Sequence, residues 1–209
     1  MPKLRVHMLA MSLDGYAAGP NQSLENPLGE RGDELHEFFL QTKRFGGPGG
    51  PEADEHSVAA GEVNVGATIM GRNMFGPVRG EWGDSDWKGW WGEEPPYHHP
   101  VFVLTHHAHD PIEAIGTTFH FVNDGIESAL EQAFAAAGGQ DVRLGGGPGV
   151  IRQYVQAGLV DELNLIVVPI LFGAGEKLLE PIGEAVHAFD VAEVVSSPSQ
   201  VTHLKLVRP

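Results

Sequence analysis

One acidic turn and two glycine-rich turns carry the residue types that could do chemistry. Asp14 stands in Ser12-Leu13-Asp14-Gly15, directly after an apolar run. A carboxylate just beyond a strand can hydrogen-bond or protonate a ligand held there, and an Asp-Gly pair can equally be a turn that bonds its own backbone. Ile69-Met70-Gly71-Arg72-Asn73-Met74 reads as a strand running into a helical turn. Free N–H groups at such a turn, with the Arg72 guanidinium beside them, suit a phosphate. Gly145-Gly146-Gly147-Pro148-Gly149-Val150-Ile151 repeats the theme after Val142-Arg143-Leu144. There glycines let the backbone approach a pyrophosphate at a helix start. It is not a dinucleotide fingerprint, because Val150 stands where the third glycine belongs, and no Gly-Lys-Ser/Thr exists for a P-loop. Each turn taken alone is also what a structural turn looks like.

Histidines and tryptophans offer further candidates. His98, His99, His106, His107 and His109 suggest a metal. His99 and His106, however, flank an extended stretch that spans roughly 23 Å at ordinary strand rise. They cannot share one ion, so no metal is expected. Trp82, Trp87, Trp90 and Trp91 could stack on a planar ligand, pack their own segment, or form an interface.

Charge restricts the partners. With 28 acidic and 13 basic residues the formal net charge is −15, a field that repels nucleic acid and anionic lipid. Any anionic ligand must be held locally, by helix starts and a few placed cations. With no cysteine, disulfides and thiolate chemistry are excluded, which fits a cytoplasmic protein. There is no apolar run of membrane length. The chain has 209 residues, 42% hydrophobic and 20% charged. It is expected to form one domain over 1–209 with an ample core.

The positioning elements follow from periodicity. Strands are expected at 4–10, 63–70, 101–105, 119–122, 142–144 and 163–168, the last apolar enough to be covered on both faces. Val191–Val195 and Val201–Val207 read as an antiparallel pair. Helices are expected at 33–43, after a cap at Asn123 or Asp124, and at 150–156. Strands that alternate with helices early and not late predict an α/β domain with one mixed sheet, antiparallel at its C-terminal edge.

Ser12 to Gly19, Gly71 to Met74, Leu104-Thr105-His106 and the glycine run 145–149 together resemble the dihydrofolate-reductase-like superfamily. Within it the chain is similar to the reductase domain of the riboflavin-biosynthesis deaminase-reductase and its stand-alone relatives. Val160 to Leu163 and Pro169 to Gly175 share that likeness. The resemblance implies a three-layer fold around a mixed sheet of about eight strands, and an NADPH-dependent reductase. It also implies a small-molecule substrate and a homodimer. On this analogy Ser12, Leu13 and Asp14 border the nicotinamide. Gly71, Arg72, Asn73 and Met74 meet the phosphates, Thr105 and His106 the adenosine ribose phosphate, and Gly146, Gly147, Gly149, Val150 and Ile151 the pyrophosphate. Asp14 and Glu34, the latter from the spacing Glu34-Leu35-His36-Glu37-Phe38, are the implied catalytic carboxylates, with ordered water as the other proton source. Tyr16 stands where these reductases carry a basic residue, and Gly149 where they carry a polar one. Those two departures keep a second class open, a ligand-binding protein that retains the fold without catalysis.

Overall fold

Apolar runs become strands here, and glycines end several of them. The computed structural model describes residues 1–76, 80–82, 87–180 and 188–209. The early elements are β1 (Leu4–Ser12), β2 (Tyr16–Ala18), α1 (Glu37–Gln41), α2 (Glu52–Ala60), β3 (Val65–Gly71) and α3 (Arg72–Phe75). The middle ones are β4 (Val101–Leu104), β5 (Ile112–Ala114), β6 (Thr117–Val122), α4 (Ile126–Ala136), β7 (Asp141–Gly146) and α5 (Pro148–Gln156). Last come β8 (Glu162–Val168), β9 (Glu176–Lys177), β10 (Asp190–Ser196) and β11 (Thr202–Val207).

The main sheet has nine strands in the order β10-β11-β8-β1-β7-β3-β4-β6-β5. The six from β8 to β6 are parallel; β11 and β10 add antiparallel at one edge and β5 at the other. The expected arrangement is present, with one strand more than expected and a second antiparallel edge. That extra edge, β5, is three residues long, Ile112-Glu113-Ala114, too short a run for its alternation to mark a strand in the sequence. β2 and β9 pair separately as a short ribbon.

Two layers cover the sheet. On one face α4 and α5 bury Ala129, Ala133, Ile151, Tyr154 and Val155 against Leu4, Val6, Ile69 and Leu144. α4 follows the expected apolar period, but Gly125 precedes it without a side-chain cap, and Asp124 instead accepts a hydrogen bond from the Ser128 hydroxyl at 2.9 Å. α5 begins at Pro148, not Val150, because proline lacks the N–H that a first helical residue cannot use anyway. On the other face Leu35, Phe38, Phe39 and Val58 meet Ala10, Ile166 and Val168.

The continuous helix expected over 33–43 is broken. A 3-10 turn at Gly32–Leu35 precedes α1, and Thr42 is extended at φ −74°, ψ 151°. The Thr42 hydroxyl donates to the Phe39 carbonyl at 2.7 Å. Such a local bond competes with the helical ladder. β1 also departs from a plain period of two. Its register with β8 shifts between Val6 and Leu9, so Leu4 and Val6 face α4 and α5 while Ala10 faces α1. A bulge re-aims side chains in this way, and it sets the direction of Ser12 at the strand's end. Among the described residues no helix is long and apolar enough to cross a membrane.

Candidate functional site

The motifs that lie far apart in sequence end side by side. β1, β7, β3 and β4 are consecutive, parallel neighbours, so Ser12, Gly146, Gly71 and Leu104 terminate along one sheet edge. Four strands at ordinary spacing make a row about 14 Å long. The carboxyl ends of parallel strands are where open α/β sheets bind ligands.

The glycines along this row have distinct duties. A Cβ on Gly71 would lie 2.8 Å from Val150 Cγ2, so this glycine lets α5 pack against β3. Gly147 is different: among the described residues a Cβ there would meet nothing within 4 Å, which leaves open space directly before the α5 N-terminus. Gly146 takes φ +124°, a conformation that side chains rarely adopt. Val150 and Ile151 do not face this space. Both side chains are buried in the core, and both N–H groups donate to the Gly147 carbonyl, at 3.1 and 3.2 Å. The backbone just before them, at Gly147, borders the open space.

Arg72 supplies the positive charge that a −15 chain must place locally. α3 has four residues and so little macrodipole; the guanidinium provides the field expected of the turn. Nη1 donates to the Gly80 carbonyl at 3.1 Å and to Thr105 Oγ1 at 3.4 Å. Nη2 is buried with no hydrogen-bond partner among the described residues. The Trp82 ring covers the guanidinium, its centroid 3.1 Å from Cζ. Burial pushes the Arg72 pKa down. An orphaned guanidinium nitrogen at the end of β3, one strand from the open space at Gly147, fits a phosphate-bearing cofactor. Met74 is exposed and its sulfur lies 3.9 Å from the Cβ position of Gly146. Asn73 offers its carbonyl to Trp90 Nε1 at 3.4 Å. His106 is exposed, whereas the adjacent His107 bonds Thr105 through its backbone and Glu81 through its ring. Nothing in the sequence separates these two histidines.

The carboxylates are both engaged. Asp14 accepts from the Ser12 hydroxyl at 2.6 Å, from the Phe172 N–H at 3.1 Å and from the Gly173 N–H at 2.7 Å. The Ser12 bond first, then the two N–H groups, hold its pKa down at about 2. Ser12 is fully buried and also accepts the Tyr16 N–H, and the Leu13 N–H donates to the Ile170 carbonyl. Leu13 itself projects outward, 60% exposed. Glu34 is paired bidentately with Arg31 at 2.7 and 2.9 Å, which holds its carboxyl below the usual range. Such fork-on-fork pairing is the strong form of the arginine–carboxylate bond. Arg31 also donates to the Leu171 carbonyl and lies over the Phe172 ring. Glu34, Arg31, residues 171–173 and Asp14 thus form one connected clamp at the end of β1. Both implied carboxylates are held in their ionised form by these partners.

Tyr16 is not without a cation. The β2–β9 ribbon sets Tyr16 opposite Lys177, whose Nζ lies 5.6 Å from the centre of the Tyr16 ring. Lys177 also pairs with Glu180, and its carbonyl accepts from Arg152. Sequence spacing holds no signal for this, since the two residues lie far apart in the chain and meet only through strand pairing. Trp82 and Trp87 pack on Phe75, through ring contact and an indole bond to its carbonyl, while Trp91 is exposed. Among the described residues no group of three or more His, Asp or Glu could hold a metal ion.

The family model of the RibD C-terminal domain matches residues 2–203. Among solved structures, a Shewanella sp. PV-4 protein named for riboflavin biosynthesis is 22% identical with a TM-score of 0.66, over 100% of this chain and 99% of that one. A pyrimidine reductase-like protein from Corynebacterium diphtheriae is 13% identical with a TM-score of 0.59, over 100% and 92% of the two chains. The Thermotoga maritima diaminohydroxyphosphoribosylaminopyrimidine deaminase/5-amino-6-(5-phosphoribosylamino)uracil reductase is 14% identical at the same TM-score of 0.59. This chain is covered fully there but spans 57% of that protein. At these identities the likeness is one of fold. No curated protein matches.

Proposed function

This chain belongs to the RibD C-terminal domain family, and from that premise we propose that it is an NADPH-dependent reductase. Its substrate is a small heterocycle or pyrimidine of the 5-amino-6-(5-phosphoribosylamino)uracil type. The observation that carries this reading is the row of strand ends at Ser12, Gly146, Gly71 and Leu104, with the orphaned Arg72 Nη2 beside it.

When bound, the nicotinamide supplies the hydride. The chain's own residues do the rest. Gly147 and Gly149 present backbone to the pyrophosphate at the start of α5, and Arg72 with Thr105 takes the adenosine phosphate. Ser12 and Asp14 lock Leu13 and residues 171–173 into one wall, against which the reacting ring is oriented and water excluded. Asp14 acts here as a positioning residue, since a group with a pKa of about 2 holds no proton to give near neutrality. In this reading the proton comes from ordered water. Lys177 lies beside Tyr16, and Arg152 bonds the Lys177 carbonyl; these two provide cations for a substrate phosphate, near the place where relatives use a basic residue in sequence. The 209 residues act as one reductase unit, and a homodimer is proposed with them.

The test is NADPH oxidation across a panel of pterins, folates and aminopyrimidines, with and without the ribose phosphate. Turnover on a phosphorylated aminopyrimidine, lost on its dephosphorylated form, supports the reading. Tight cofactor binding with no turnover on any member of the panel refutes it in favour of a binding protein.

A further inference from the structure

Residues 80–82 cross the proposed adenosine phosphate subsite, and each of the three touches it. The Gly80 carbonyl accepts from Arg72 Nη1 at 3.1 Å. Trp82 lies over the Arg72 guanidinium, and its Nε1–H donates to the His107 carbonyl at 2.8 Å. Its ring is wedged against Phe121 and His109, with centroids 4.8 and 4.7 Å away. The neighbouring Glu81 places its Oε1 3.1 Å from His107 Nδ1. The Glu81 side chain is 88% exposed, and its charge acts on Arg72 as well. Among the described residues this one carboxylate faces the two cation-capable groups, Arg72 and His107, that an incoming phosphate would seek.

We infer that Glu81 is a specificity-determining residue: its carboxylate occupies the field of Arg72 and His107 and so lowers affinity for a 2′-phosphorylated dinucleotide relative to the unphosphorylated one. This rests on the cofactor placement proposed above. The physical basis is competition for the same donors together with like-charge repulsion. A carboxylate so exposed interacts through solvent, which limits the effect to a few-fold and makes it sensitive to salt. A bound phosphate takes the place of Glu81 at His107, while Trp82 remains as the cover that keeps Arg72 in a drier and hence stronger site.

The experiment is calorimetric titration of the wild-type chain, Glu81→Gln and Arg72→Ala with NADPH, NADH, 2′-AMP and 5′-AMP. Glu81→Gln is expected to tighten NADPH and 2′-AMP about fivefold at low salt. NADH and 5′-AMP should stay within about twofold, and the gain should shrink as salt rises. Arg72→Ala is expected to move the NADPH preference the opposite way. An unchanged NADPH-to-NADH ratio in Glu81→Gln overturns the inference. Weaker NADH binding in that variant overturns it too, because the carboxylate would then be holding the ribose hydroxyl. If Arg72→Ala leaves the ratio unchanged, the phosphate placement itself fails. If Arg72→Ala lowers the ratio while Glu81→Gln does not raise it, the placement stands and only the role of Glu81 falls.

Discussion

Gly147→Ala separates a turn-forming glycine from a cofactor-contacting one. Gly147 sits at φ −79°, and an added Cβ meets no described atom within 4 Å. Any residue is allowed at such a φ. Folding stability should therefore stay within about 1 kcal/mol, with any gain coming from the stiffer unfolded chain. Gly146→Ala is a poorer probe, because its φ of +124° makes the substitution strained wherever the cofactor lies. Gly71→Ala is the complementary control: its Cβ would lie 2.8 Å from Val150 Cγ2. Crowding of that kind disturbs α5 packing. If the pyrophosphate lies against Gly147, the methyl holds it off the N–H groups at the α5 start. Losing one charge-assisted contact costs ~1.5–3 kcal/mol, a tenfold to hundredfold loss of affinity. The assay is a urea denaturation curve and an NADPH titration on each variant. A fully folded Gly147→Ala protein with wild-type affinity would refute the cofactor placement.

Three further outcomes are expected. Stability should fall as the pH drops from about 6.5 toward 4, because burial and the nearby Arg143 hold the His99 pKa down at about 4. The unfolded chain then takes the proton first; burial lowers His7 and His36 in the same direction, so urea unfolding of His99→Gln should make that slope shallower without abolishing it. A second fall should run from 3.8 toward about 2, where Asp14 loses the stabilising bonds its ionised form makes above that range. Asp14→Asn should flatten this lower segment and slow turnover without removing a titration from the neutral pH–rate profile; a rate profile that loses an ionisation near neutrality would restore Asp14 as a proton donor. As to assembly, β8 is interior and its apolar residues are buried or half-buried, so it offers no surface for a dimer. Val191 and Val194 on the edge strand β10 are the exposed apolar residues there, and light scattering at micromolar concentration should give the mass of two chains, a single-chain mass counting against the dimer.

Much of the scaffold is legible in the residues themselves. Period-two and fully apolar runs mark β1, β3, β4, β6, β8 and β11, and the repeat Ile126, Ala129, Leu130, Ala133, Phe134 marks α4, because burial on one face imposes a local period. The glycine turns are visible too, since only a few residue types suit such turns. What local patterns do not contain is who neighbours whom. The strand order that sets Gly71 and Gly146 beside Ser12 and Leu104 is decided by packing across the whole sheet. α2 is hidden because its nine residues carry only Val58 and Asp54 inward and so show no apolar stripe. Asp14 finds its partners at Phe172 and Gly173, 158 and 159 positions away. Lys177 reaches Tyr16 through a two-strand ribbon, and Trp82 reaches Arg72 across an irregular segment. The Phe172 and Gly173 N–H groups add to the local Ser12 bond in holding Asp14 ionised, and Trp82 closes over the buried guanidinium of Arg72. A charge's behaviour depends on its neighbours in space, and those exist only once the chain is folded.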